Sequence, residues 1–193
     1  SLWPHYGEAF LKKINVVLPT KNRQDILLDS VTSIINQNFE DFAVKLIIID
    51  QSKVSLDPKV FEVFDNSKLE IIYIYEPHKI DSLVSARRHA ISYINENNLH
   101  SDFIGFVEDD TYATENYLNN LIRAFNKYPN VIGVNGYVYQ EAEKGLLYTF
   151  VHRFFHIGIF KDNRAYFYTK NTESKINNIS GGICLWKAEI FNY

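Results

Sequence analysis

The chain has no methionine and one cysteine, Cys184, in 193 residues, and only eight glycines and five prolines. A lone cysteine excludes an internal disulfide framework and any zinc site built from several thiolates. No apolar run exceeds a handful of residues, so no segment reads as a membrane-spanning helix. An excess of positive charge is lacking too. Lys and Arg total 20 against 23 Asp and Glu, a net charge of −3, which offers no general field for a nucleic-acid backbone. The opening SLWPHYGEAF has neither the basic start nor the apolar core of a secretion signal. These absences predict a cytoplasmic globular domain without a nucleic-acid partner. Without an initiator Met, and ending at Tyr193 within what reads as a helix start, the chain reads as a fragment.

What is present is apolar and ordered. Hydrophobic residues make up 46% of the chain, ample for a sizeable core at this length. Residues 14–19 (INVVLP) predict a buried strand, followed by a helix capped by Asp25 with Leu27, Val31, Ile34 and Ile35 on one face. Val44–Ile49 predicts a second strand, residues 58–65 a helical stretch, and Leu69–Tyr75 a third strand. Residues 82–96 have helical spacing, and Asp102–Val107 predicts a fourth strand. Tyr117, Leu118, Leu121, Ile122, Phe125 and Tyr128 then mark a helix that stops at Pro129. Val131–Tyr139 alternates as a fifth strand. Strands separated by helices predict an α/β fold with a parallel, doubly wound sheet.

In such sheets the ligand crevice lies beyond the carboxyl ends of the strands. Three polar clusters occupy those ends: Thr20-Lys21-Asn22-Arg23, Asp50-Gln51-Ser52 and Glu108-Asp109-Asp110. Adjacent carboxylates repel one another and call for a compensating cation. Oxygen-only donors suit Mg²⁺ or Mn²⁺, ions that keep waters and bridge to phosphates. The plainer reading is that Asp110 or Thr111 caps the next helix. Asp50 likewise reads either as a ligand contact or as a strand-end turn former. Lys21, Arg23 and Arg88 read as solvated charges, and Cys184 as a core thiol. His152 and His156 are four apart but lack the Glu of a zinc-protease motif, so they read as structural. The aromatic stretch 147–168 reads as core, as an acceptor platform, or as a face for peripheral membrane contact.

The order of these motifs resembles family 2 glycosyltransferases, inverting enzymes of the GT-A fold. Residues 14–23 (INVVLPTKNR) are similar to the family's opening strand and loop. Residues 33–37 (SIINQ), 46–52 (LIIIDQS) and 85–91 (SARRHAI) follow in the family's order. Residues 103–110 (FIGFVEDD) resemble the strand leading into its DXD metal motif, and 180–186 (SGGICLW) its later acceptor-side strand. The resemblance implies a GT-A type nucleotide-diphospho-sugar transferase fold, with a mainly parallel central sheet flanked by helices. One domain would span 1–193, with a nucleotide-binding half at 14–139 and an acceptor-side half at 140–193.

The resemblance also implies roles. Pro19 and Thr20 would flank the base and ribose, and Asp109 would join the nucleotide-binding set. Asp50 and Gln51 stand where the family often has two aspartates, the second reading the base. Gln51 departs from that pattern, and its amide can donate as well as accept. Arg87 would lie near the donor diphosphate. Asp110 would hold Mn²⁺ or Mg²⁺ directly, with Glu108 acting through the ribose or a water. Gly181 and Gly182 would let a sugar approach the backbone. The implied donor is a nucleoside-diphosphate sugar, UDP favoured. The implied acceptor is a glycan or lipid-linked hydroxyl in cell-surface polysaccharide synthesis, at the inner face of the membrane. The catalytic base is expected beyond Tyr193, with Glu189 a surface or capping residue, so the chain alone would bind donor but transfer sugar very slowly or not at all.

Other classes fit less well. A nicotinamide-binding Rossmann domain would need GxGxxG after the first strand, and Thr20–Asp25 contains no glycine. A P-loop motif is absent. A sugar nucleotidyltransferase and a non-catalytic sugar-nucleotide-binding fragment stand as the alternatives.

Overall fold

Apolar runs long enough to be covered on both faces become the centre of a sheet. In the computed structural model, which describes residues 11–39, 41–64, 68–77, 82–136 and 182–191, three such runs and a half-buried fourth are parallel strands. These are β1 (Lys12–Thr20), β2 (Phe42–Asp50), β3 (Leu69–Tyr75) and β4 (Phe103–Val107). Three helices connect or flank them: α1 (Gln24–Ile35), α2 (Leu83–Glu96) and α3 (Tyr117–Lys127). The stretch Pro58–Phe64 is a 3₁₀ helix. A short β5 (Gly133–Asn135), β6 (Ile183–Lys187) and a 3₁₀ turn at Ala188–Phe191 complete the described elements. They lie in one of the chain's two units, 1–136 with 180–193; the other, 137–179, lies outside the described residues.

Strand order is β3-β2-β1-β4-β6-β5. Parallel pairing joins β3, β2, β1 and β4, while β6 runs antiparallel to both β4 and β5. The sheet is therefore mixed, mainly parallel, and the expected fifth strand needs correcting. It does not extend the parallel set, because β6 separates it from β4, and only residues 133–135 of the expected 131–139 are described as strand. The pairing of β4 with β6 is long-range, so local alternation carries no sign of it.

Alternate side chains serve two layers. Ile14, Val16 and Leu18 of β1 pack with Leu27, Val31 and Ile34 of α1 and with Leu118, Leu121, Ile122 and Phe125 of α3. On the other face α2 lies against β1 and β2, burying Ala86, Ala90 and Ile94. Each fully buried Leu or Ile contributes roughly 1.5–3 kcal/mol. No helix among the described residues is long and apolar enough to cross a membrane.

Helix starts differ from expectation in two places. Arg23, not Asp25, is the N-cap of α1, without a side-chain capping bond. Asp25 sits in the first turn, where its charge faces the positive end of the helix dipole. Asn116 precedes α3, so Asp110 and Thr111 are not its caps. Ser82 does cap α2, accepting from the Ser85 backbone N–H at 3.1 Å.

Candidate functional site

The carboxyl ends of β1, β2 and β4 open onto one cleft of about 470 Å³. Pro19, Thr20, Arg23, Gln51, Glu108, Asp109 and Asp110 are among its lining residues, with Ser82 and Leu83 at the start of α2. The three polar clusters thus converge.

The acidic tip is held from three sides. Thr20 donates its hydroxyl to Asp109 Oδ2 at 2.8 Å, tying the end of β1 to that of β4. Arg23 Nη1 reaches Asp109 Oδ1 at 3.2 Å and Asp110 Oδ2 at 3.0 Å. From beneath, α1 grips the backbone of the loop that follows β4. The Ser30 hydroxyl lies 2.8 Å from the carbonyl oxygens of both Asp109 and Thr111. Ser33 Oγ accepts from the Ala113 N–H, and the Gln37 amide bridges the Thr114 carbonyl and the Leu118 N–H. Ser30, Ser33 and Gln37 are buried polar side chains at helical spacing, the one local sign that α1 holds more than a core. Ser33 and Gln37 bound the 33–37 motif of the sequence, Ser30 lies outside it, and the grip of all three on the loop was not legible. Arg23 was read as a surface charge, and here it bridges two aspartates.

The end of β2 is a second network. Asp50 is fully buried, and its carboxylate accepts from the Ser52 N–H at 2.8 Å and the Tyr73 hydroxyl at 2.6 Å. Burial and the bond to Asp50 push the Tyr73 hydroxyl pKa up. Ser52 Oγ in turn accepts from the Asn22 N–H at 2.7 Å, and Asn22 Oδ1 accepts from Lys53 N–H at 3.0 Å. Asn22 has φ 55, a left-handed conformation that Asn tolerates through such local bonding. The β1–α1 turn and the β2 loop are thereby clasped, with the Gln51 N–H on the Thr20 carbonyl at 2.9 Å.

A third group lies at the end of β4. Arg87 Nη2 is 3.6 Å from Glu108 Oε1, and the guanidinium stands over the Phe106 ring at 5.3 Å. Burial lowers the Arg87 pKa, against the raising influences of Cys184 and Glu108. Its Nε and Nη2 are buried and make no hydrogen bond among the described residues. Buried donors in that state are rare and ask for an explanation. Gly182 packs against the Glu108 carboxylate so closely that an added Cβ would lie 2.7 Å from Oε1. Cys184 is buried and its thiol pKa is pushed up by burial, so it is a core thiol.

Among the described residues no three His, Cys, Asp or Glu side chains could cage a metal ion by themselves. Asp110 and Glu108 nevertheless offer partly exposed carboxylates, 51% and 42% at the side chain. Such a donor set fits an ion that shares its coordination with waters and a phosphate-bearing ligand. Glu189, by contrast, lines a separate hollow of about 410 Å³ with Lys12, Phe103 and Lys187, at the amino ends of β1 and β4. Antiparallel β6 carries it to the end of the sheet away from the acidic tip. Gly181, the two histidines and the aromatic stretch 147–168 lie outside the described residues.

The sequence profile of glycosyl transferase family 2 matches residues 15–191. The chain belongs to glycosyl transferase family 2. Its membership favours sugar transfer over the nucleotidyltransferase alternative. Among similar proteins is the glycosyltransferase GlyA of Streptococcus pneumoniae serotype 4, 22% identical over 136 residues, 70% of this chain and 18% of that protein. The minor teichoic acid biosynthesis protein GgaA of Bacillus subtilis is 28% identical over 137 residues, 68% of this chain and 29% of that protein. The chain therefore spans less than a third of the length of these relatives. Among solved structures, the mannosyltransferase PcManGT from Pyrobaculum calidifontis, in complex with GDP-Man and Mn²⁺, superposes with a TM-score of 0.62 at 15% identity. That match covers 97% of this family 2 chain and 47% of the other. Staphylococcus aureus TarS 1-349 reaches 0.50 at 17% identity, over 67% of this chain and 40% of that one. These likenesses show a shared GT-A fold.

Proposed function

We propose that this domain transfers a sugar from a nucleoside-diphosphate donor, with a divalent cation, to a hydroxyl of a glycan or lipid-linked acceptor, with inversion. The observation that carries the reading is the joining of the β1 tip to the acidic β4 tip, Thr20 to Asp109, in a cleft at the carboxyl ends of parallel strands. Pro19, Thr20 and Gln51 line the part of the cleft proposed for the nucleoside. The Gln51 side-chain amide supplies both a donor and an acceptor for a base edge. Asp50 is proposed to act indirectly, because both its oxygens already accept bonds and its role is to hold the 51–53 loop. Asp109 is proposed to keep Thr20 in place beside the ribose.

Asp110 and Glu108 would hold the cation, which when bound supplies positive charge to the departing diphosphate. Arg87 is proposed to donate to diphosphate oxygens, which would satisfy the two buried nitrogens that make no hydrogen bond among the described residues. Gly182 keeps the Glu108 carboxylate in its present position and is proposed to border the donor sugar. Glu189, at the amino ends of the strands, is not a candidate for the base that deprotonates the acceptor.

The similarity to GgaA makes a cell-surface polymer the first acceptor class to try. UDP-sugars are the first donors, and GDP-mannose the second because PcManGT was solved with it. Calorimetry with UDP and GDP, with and without Mn²⁺, tests the core of the reading: affinity should rise at least about tenfold with the ion. Equal affinity in its presence and absence would remove the cation from the proposal. Gly182→Ala provides a second check. The obstructing group is the end of a flexible side chain, so Glu108 should swing away while the fold holds, with the melting temperature within about 4 °C of the parent. Mn²⁺-dependent nucleotide affinity should drop by about tenfold. Parent-like affinity would show that Glu108 is not needed where it stands.

A further inference from the structure

Arg23 lines the cleft and bonds to its acids, and the reading above does not use it. One of its nitrogens, Nη1, lies between Asp109 and Asp110 at 3.2 and 3.0 Å. Its backbone is fixed: it follows the clasped Asn22 turn, and its carbonyl accepts from the Leu27 N–H at 2.9 Å as α1 begins. Its side chain is not so constrained, being 51% exposed beyond that anchor. The two aspartates also differ. Asp109 is buried and has a second partner in Thr20, whereas the Asp110 side chain is 51% exposed.

Three consecutive carboxylates at a strand tip repel one another. Arg87 stands beside Glu108, and the guanidinium of Arg23 offsets the charge of the other two. The pair with Asp110 is half exposed at both ends and therefore weak, so this arm holds the tip in shape and still gives way to a competing cation. Once displaced, a planar fork of donors stands free at the rim of the cleft, matched to phosphate oxygens.

We propose that Arg23 is a further donor-binding residue with two positions. It rests on Asp109 and Asp110 while no divalent cation is bound. It moves to a diphosphate oxygen of the donor when a cation takes Asp110. This inference rests on the reading that the cleft binds a nucleoside diphosphate with a divalent ion.

The test titrates Mn²⁺ alone, then UDP or GDP at saturating Mn²⁺, into the parent, Arg23→Gln, Arg23→Lys and Lys21→Gln. Arg23→Gln should bind Mn²⁺ about three- to tenfold more tightly, because its competitor is gone. It should bind the nucleotide about tenfold more weakly, because a diphosphate partner is gone. Arg23→Lys keeps the charge without the fork and should show near-parent Mn²⁺ affinity with weakened nucleotide. Lys21→Gln removes the same charge from the same cleft without touching the aspartates, and should shift Mn²⁺ affinity less than about twofold. Equal Mn²⁺ affinity in Arg23→Gln and the parent overturns the inference, as does an equal gain in Lys21→Gln. Tighter Mn²⁺ with unchanged nucleotide affinity overturns the second position. If the parent binds nucleotide with Mn²⁺ and Arg23→Gln behaves like it, only the role of Arg23 falls. If neither parent nor variants bind Mn²⁺ or nucleotide, the functional reading falls with it.

Discussion

Asp110→Asn is expected to weaken Mn²⁺-dependent binding of the nucleoside diphosphate by at least about a hundredfold while leaving the fold intact. The size follows from the charge: a cation on a diphosphate is worth several kcal/mol, and its proposed direct ligand would be lost. Stability should barely move. Among the described residues the Asp110 carboxylate bonds to Arg23 alone, both side chains are half exposed, and such a pair contributes roughly 0–1 kcal/mol. Calorimetry with and without Mn²⁺, beside a urea melt, reads both quantities. A variant that binds nucleotide as the parent does in Mn²⁺ would show that Asp110 does not hold the ion. A large loss of stability would instead assign it a structural place.

Asp50→Ala is expected to act the other way round, costing about 3 kcal/mol of stability. It deletes a buried carboxylate that accepts two hydrogen bonds, and leaves the Tyr73 hydroxyl and the Ser52 N–H to be satisfied anew. Asp50→Asn should cost about 1 kcal/mol, because an amide oxygen still accepts from Ser52. In both variants nucleotide affinity should fall through a loosened 51–53 loop. Urea midpoints of parent, Asn and Ala variants give the order directly. An Ala variant as stable as the parent would mean that Asp50 faces the ligand after all.

These two aspartates also mark how far the sequence reached. Both were legible as strand-tip acids, since β2 and β4 are apolar runs that end abruptly in polar residues. Strands buried on both faces, as β2 and β4 are, announce themselves in this way, and half-buried Leu69–Tyr75 has the same bounds in the sequence and the structure. The two directions of the carboxylates were not legible. Asp50 turns inward because Tyr73, on the neighbouring strand and 23 residues later, offers its hydroxyl there. Asp109 turns to Thr20 because β1 and β4 lie side by side, a pairing 89 residues apart. Arg23 was passed over for the same reason: a charge after a strand looks solvated until the acids opposite it are known. The expected fifth strand is there at 133–135, but its place beyond β6 was hidden for a different reason. An edge strand and its antiparallel partner are placed by the rest of the sheet, and the motif at 180–186 that resembles a strand gives neither its direction nor its neighbours.

The insertion of β6 has a consequence for how the chain reaches this state. β4 emerges during synthesis about 80 residues before the segment that will cover its outer edge, since Phe106 pairs with Cys184. At bacterial or eukaryotic elongation rates that interval is roughly 4–16 s. Throughout it, a hydrophobic strand beside the acidic tip carries one unsatisfied row of backbone donors and acceptors, the kind of edge that recruits strands from other chains. Long-range closure of this sort is also slow once the segment arrives. The nascent domain is therefore most exposed to misassociation at its centre, along the strand that leads into its candidate site.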